Sequence, residues 1–152
     1  MEDKRTLKPL ILILILTVLS AALLLSACET DTRVSISGAK IPPAFSFSGS
    51  GRAAQFFVVA VANVDSYSPN DRAVWKLSAK TYGGPSVSNL PPIRYGVVPD
   101  GWVQEKPETG PPPPLEEGKF YRVTAPSVSA GFRALCFKVD QGNAVKVPCR
   151  ER

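Results

Sequence analysis

The sequence predicts an all-β protein, an antiparallel β-sandwich preceded by a hydrophobic N-terminal helix. Fifteen prolines and 11 glycines punctuate the 152-residue chain. Beyond about residue 33 no stretch of ten keeps a helical period, while short apolar runs separated by turn residues recur to the C-terminus. Phe56-Phe57-Val58-Val59-Ala60-Val61 is apolar on both faces, the mark of a central strand covered from both sides.

The N-terminus departs from this pattern. Residues 1–9 carry Lys4, Arg5 and Lys8, and Leu10 to Ala27 contains only apolar or small residues without a charge. This is a charged region followed by the hydrophobic core of an export signal. It closes on Leu25-Ser26-Ala27-Cys28, which resembles the lipobox of bacterial lipoproteins. The resemblance implies cleavage before Cys28, lipidation of its thiol and further acylation of palmitate type, and a place in the cell envelope outside the cytoplasm. Small side chains at Ser26 and Ala27 admit a peptidase to the backbone, and a thiol can carry a thioether-linked diacylglycerol. Buried methylenes contribute about 0.8 kcal/mol each, so two or three acyl chains hold a protein on a bilayer where one does not. The 18 residues from Leu10 to Ala27 also sit at the lower limit of a membrane span. An uncleaved anchor or an ordinary cleaved signal would export the same domain. Glu29 is not the aspartate that often retains such proteins in the inner membrane of Gram-negative cells, so for a Gram-negative protein the family resemblance favours the outer membrane, on its periplasmic face or at the surface.

The expected organisation is a signal peptide over 1–27, a tether over 28–32 and a single β-sandwich domain over 33–152. Taking 27 residues from 152 leaves 125, the size of one domain. The five tether residues reach at most ~17 Å, which keeps the domain close to its membrane. The segment removed holds three Lys and Arg and two Asp and Glu, leaving 15 basic against 11 acidic residues and a net charge of +4. These charges are scattered with no basic run, which reads as a solvated surface and not as a nucleic-acid face.

The expected strands are Arg33 to Ser37, Phe45 to Ser48, Gln55 to Asn63, Ala73 to Lys80, Ile93 to Val98, Trp102 to Gln104, Lys119 to Ala125, Phe132 to Val139 and Ala144 to Cys149. In the fourth, Trp75, Leu77 and Ala79 share one face and Lys76, Ser78 and Lys80 the other, so one face packs and the other is wet. Pro99-Asp100-Gly101 and Asp140-Gln141-Gly142-Asn143 carry tight-hairpin chemistry. Pro107 to Pro114, with four consecutive prolines, lacks the N–H donors of a ladder and is expected as an extended surface loop crossing between sheets.

Leu115-Glu116-Glu117-Gly118-Lys119-Phe120-Tyr121 resembles the tyrosine corner of fibronectin type III and related immunoglobulin-like sandwiches. The family's usual corner proline and threonine are replaced here by Glu117 and Lys119. In that corner the phenol bonds back to nearby backbone and stays satisfied when buried. Trp75 lies 46 residues upstream of Tyr121, a separation similar to that between the family's core tryptophan and its corner tyrosine. The resemblance implies a sandwich of this type; a shared fold supplies no function.

With Cys28 given to lipid, Cys136 and Cys149 are an even pair in an oxidising compartment and are expected to form a disulfide. Pairing the last two strands about Gln141-Gly142 sets Cys136 opposite Val147 and diagonal to Cys149 on one face, and a slightly longer loop would set the two cysteines directly opposite. The chain has no histidine, which excludes Ser-His-Asp and Cys-His catalysis and the usual catalytic zinc sites. No P-loop, dinucleotide or haem motif is present. Asp65, Asp71, Asp100, Glu105 and Glu108 fall in expected loops or strand ends with no motif setting a catalytic separation. Asp65 to Asp71 offers loop oxygens to Ca²⁺ but lacks EF-hand spacing and reads as a turn. No metal or cofactor is expected beyond the covalent lipid. Tyr67, Tyr82 and Trp102 lie in or beside loops, where aromatics grip sugars or peptides or else cover a nearby glycine or proline. These features together predict a non-catalytic, membrane-anchored binding or accessory module of the envelope with a protein or glycan partner. A hydrolase using two carboxylates and a purely structural lipoprotein are the rival classes.

Overall fold

The computed structural model describes residues 31–62, 73–126 and 131–149. Among these residues lie ten strands: β1 (Thr32–Gly38), β2 (Ala44–Ser48), β3 (Gln55–Val61), β4 (Ala73–Ala79), β5 (Ile93–Arg94), β6 (Trp102–Lys106), β7 (Phe120–Thr124), β8 (Phe132–Arg133), β9 (Leu135–Asp140) and β10 (Asn143–Val147). The one helical piece described is a single 3₁₀ turn, Val87–Asn89. The strands form a four-stranded sheet of order β5-β2-β1-β8 and a six-stranded sheet of order β10-β9-β7-β3-β4-β6.

The sheets share one core because strand alternation points their large apolar side chains at each other. Phe45 of β2, fully buried, reaches from the smaller sheet to Phe56 of β3 and Phe137 of β9, each with ring centroids 5.8 Å away. Phe56 meets Trp75 of β4 edge-on at 5.5 Å, and Trp75 meets Tyr95 at 5.1 Å. Each large side chain buried in this way contributes roughly 1.5–3 kcal/mol. The apolar run of β3 takes an inner place between β7 and β4. Its pairing with β7 stays in step, and the bulge between β3 and β4 leaves Val74 of β4 as the extra residue; Val58 is buried in the core between the sheets and Val59 on the opposite face, across from Arg122. Tyr121 stacks on Phe137 at 5.4 Å, and its phenol oxygen accepts the Glu116 backbone N–H at 2.9 Å. The corner contact therefore satisfies a hydroxyl on a side chain that is almost fully buried.

Three expected elements differ. The run from Ile93 to Val98 pairs over only two residues, because the chain turns at Gly96 (φ +81°) and leaves Val97 and Val98 exposed. The run from Phe132 to Val139 breaks at Ala134: β8 joins the smaller sheet parallel to β1, and β9 joins the larger one. Local periodicity cannot reveal such a switch, since parallel pairing joins segments that are distant in sequence. Pro99 to Gly101 forms a tight turn closed by the Trp102 N–H on the Pro99 carbonyl at 3.2 Å, with Gly101 at φ +80°. It is not a hairpin, because β5 and β6 belong to different sheets.

The second turn is a two-residue hairpin, with Asp140 opposite Asn143 and both Gln141 (φ 49°) and Gly142 (φ 71°) in the left-handed region of a type I′ turn. The Glu117 carboxylate accepts the N–H groups of Gln141 and Gly142. This register puts Cys136 opposite Val147, and Cys136 and Cys149 are joined in a disulfide with Cα atoms 5.3 Å apart.

Phe45→Ala should lower stability by about 3–5 kcal/mol, because it opens a cavity between the sheets; a loss below 1 kcal/mol in denaturant titration would show that the sheets close without it. Non-reducing peptide mapping should join Cys136 to Cys149, and replacing both with alanine should cost up to roughly 3 kcal/mol. Two free thiols in the native protein would refute the bridge.

Candidate functional site

Strand directions give the sandwich two unlike ends. At the entry end β1, β3 and β6 begin and β2, β4 and β7 finish, as the pairings Arg33 to Ser48, Gln55 to Ser78, Ala79 to Trp102 and Phe57 to Thr124 show. The proline loop and the Gln141-Gly142 turn lie at the other.

At the entry end the first described residues are tied down. Thr32 donates its N–H to the Gly131 carbonyl at 2.8 Å and its hydroxyl to the Ser50 carbonyl at 2.6 Å. Asp31 pairs with Arg133 at 3.1 Å. The segment after Ser50 lies against the loop that follows β4, with the Ala53 N–H on the Pro85 carbonyl at 3.0 Å and an Arg52–Ser86 bridge. Gly84 (φ +73°) makes that approach possible, since a Cβ there would overlap the Ala53 carbonyl. The Gly84 N–H closes a turn on the Thr81 carbonyl at 3.0 Å, with Gly83 (φ +72°) in the third place that favours glycine. Tyr82 sits on the crest of this turn, fully exposed. Beneath it lies an open hollow of about 530 Å³ lined by Gln55, Ser78, Lys80 and their neighbours.

At the opposite end the proline loop returns to the same sheet it left, β6 to β7, and so does not carry the chain between sheets. It is held from within. The Gln104 side chain accepts the Trp75 indole N–H at 2.9 Å and donates to the carbonyls of Pro107 and Gly110, both at 2.8 Å. The Tyr95 hydroxyl donates to the Pro113 carbonyl at 2.7 Å, and burial holds this phenol well above its ordinary value. Pro111, Pro112 and Pro114 with Ile41, Pro42 and Tyr95 enclose a largely apolar cleft of about 300 Å³.

The three aromatics expected at the surface part company. Tyr82 is exposed and Tyr67 lies outside the described residues. Trp102 is a core residue, 4 % exposed and opposite Ala79, because alternation along β6 turns Trp102 inward and Val103 outward. Trp102 therefore offers no surface to a ligand. Cys28, Asp65 and Asp71 also lie outside the described residues. Glu105 forms an ion pair with Lys76, whose hydrogen bond holds its carboxyl below the usual range. Asp100 and Glu108 are exposed in turns, and neither cleft is lined by a carboxylate. Among the described residues no group of His, Cys, Asp or Glu could hold a metal ion.

Gln104 is the residue that sequence reasoning missed. Its signal was a polar side chain two places from Trp102, hence on the same face of β6. No family model, curated protein or solved structure matches the chain.

Gln104→Ala should lower stability by about 2–3 kcal/mol, since it strands the Trp75 indole and two loop carbonyls; an unchanged denaturation midpoint would remove the clamp. Because Tyr95 is held neutral, its contribution is complete below its ordinary value of 10.0 and is lost as pH rises above it. Tyr95→Phe should therefore flatten the alkaline loss of stability, and an identical slope in both proteins would contradict this.

Proposed function

We propose that this chain is a bacterial envelope lipoprotein, anchored through Cys28 and acting without catalysis as a binding or accessory module for a protein or glycan partner. The observation that carries the reading is Leu25-Ser26-Ala27-Cys28 at the end of an uncharged hydrophobic segment. Two features of the fold support it. β1 begins at Thr32, so four residue steps of at most about 14 Å separate the lipidated cysteine from folded structure. The Cys136–Cys149 disulfide fits an oxidising compartment.

We further infer that the sandwich is of the immunoglobulin and fibronectin type. The runs β1-β2-β5 and β3-β7-β9 are ordered as strands A-B-E and C-F-G of that architecture, and Tyr121 bonds upstream backbone from near the start of β7, the F position. Trp75 lies on β4, one strand beyond the C position, and the disulfide links neighbours at one edge of a sheet instead of bridging the two sheets. These are departures from the antibody pattern.

On this reading the proline-lined cleft faces away from the membrane and is the surface offered to a partner. Its rigid apolar walls can bury a ligand's side chain or sugar face without the entropy cost of ordering a loop.

Intact mass of the native protein should show loss of residues 1–27 and added lipid, and Cys28→Ser should leave the protein unacylated and release or mislocalise it. An unmodified full-length chain would refute the anchor.

A further inference from the structure

The end of the sandwich from which the tether leaves is itself built to touch a bilayer. We infer that the turn bearing Tyr82, flanked by Arg52 and Lys80, docks on an anionic phospholipid surface and fixes how the domain stands on its membrane; this rests on the anchoring of Cys28 proposed above.

Thr32 bonds Ser50, and three residues later Ala53 and its neighbours pack against Gly84 and Pro85, so the Tyr82 turn and the start of β1 share one end of the domain. A tether of at most about 14 Å then holds that end, and not the proline end, against the headgroups.

Tyrosine has an apolar ring and a polar tip, the combination enriched at membrane interfaces. Tyr82 is fully exposed while Tyr95 and Tyr121 are buried. The turn presenting it is held by the Gly84–Thr81 bond and by the close approach of Gly84 to Ala53, so the ring stands on a braced support. Arg52 runs beside Gly83, where a Cβ would meet its Nε at 3.4 Å, and Lys80 is exposed next to the turn. Asp31 nearby is already paired with Arg133. Asp100 is the acidic residue on the adjoining turn, which the Lys80 N–H joins through the Gly101 carbonyl at 2.8 Å. Two cations beside an interfacial aromatic complement phosphate headgroups, and each basic residue near an anionic surface shifts binding by about fivefold.

The test uses the acylated mature protein, as purified from its membrane, in vesicles of phosphatidylglycerol and phosphatidylcholine. Thr81→Cys, beside Tyr82, or Lys119→Cys, at the proline end, supplies the single reactive thiol for an environment-sensitive fluorophore. The expected result is a blue-shifted emission and strong quenching by headgroup-labelled lipid at position 81 and neither at position 119. The signal should fade toward 1 M salt, where screening acts within about 3 Å. Arg52→Gln with Lys80→Gln should lower the ratio of docked to undocked protein by about thirtyfold while vesicle binding persists. Protein that sediments with vesicles but shows position 81 as water-exposed as position 119 would overturn the docking alone and leave the Tyr82 face open to a soluble partner. Protein that fails to sediment at all would overturn the anchor and the docking together.

Discussion

The contact of Phe45 with Phe56 and Phe137 is the interaction on which the rest of the molecule depends. A strand pair cannot hide its apolar face alone, and here one ring from the smaller sheet fills the space between two rings of the larger. Once those rings are seated, the relative placement of the sheets is set, and the two ends of the sandwich acquire different characters. Trp75 extends the same aromatic chain to Tyr95 and, through its indole N–H, to Gln104. The core thus reaches the proline loop by two polar threads, Gln104 to Pro107 and Gly110, and Tyr95 to Pro113.

This arrangement explains how a segment rich in proline becomes a wall. Proline lacks the N–H groups that would bind it to a sheet, so its carbonyls must be fixed by donors from elsewhere. Gln104 and Tyr95 are those donors, and both are positioned by the core. At the other end glycine has the complementary role. Gly84 lets two backbones meet where any side chain would collide, and this raises Tyr82 into solvent. On the proposed anchoring, one end faces the bilayer and the other presents a rigid apolar cleft.

Much of the fold was legible in the sequence. The apolar run of β3 led to its inner place, and the two-residue turn at Gln141-Gly142 led to the register that brings Cys136 opposite Val147. Tyr121 was legible too, through its resemblance to the tyrosine corner, in which the phenol bonds nearby upstream backbone. What escaped were consequences of distant contacts. The parallel pairing of β8 with β1 joins residues 100 positions apart, as Thr32 with Phe132. The burial of Trp102 depends on β4 lying beside it, and the preceding turn residues pointed the other way. Gln104 draws its importance from a loop whose path no local pattern records. Of the candidate site, Tyr82 was visible as a loop aromatic, but its place on the same end as the tether emerged only from the strand directions.

The central claim is that a thiol at position 28 carries fatty acid and sets the address of everything after it. Metabolic labelling with an alkyne analogue of palmitate tests it most directly. The mature chain should take up the label, and the labelled peptide should begin at Cys28. A mature chain recovered from the envelope without label, or labelled on a peptide that does not contain Cys28, would contradict it.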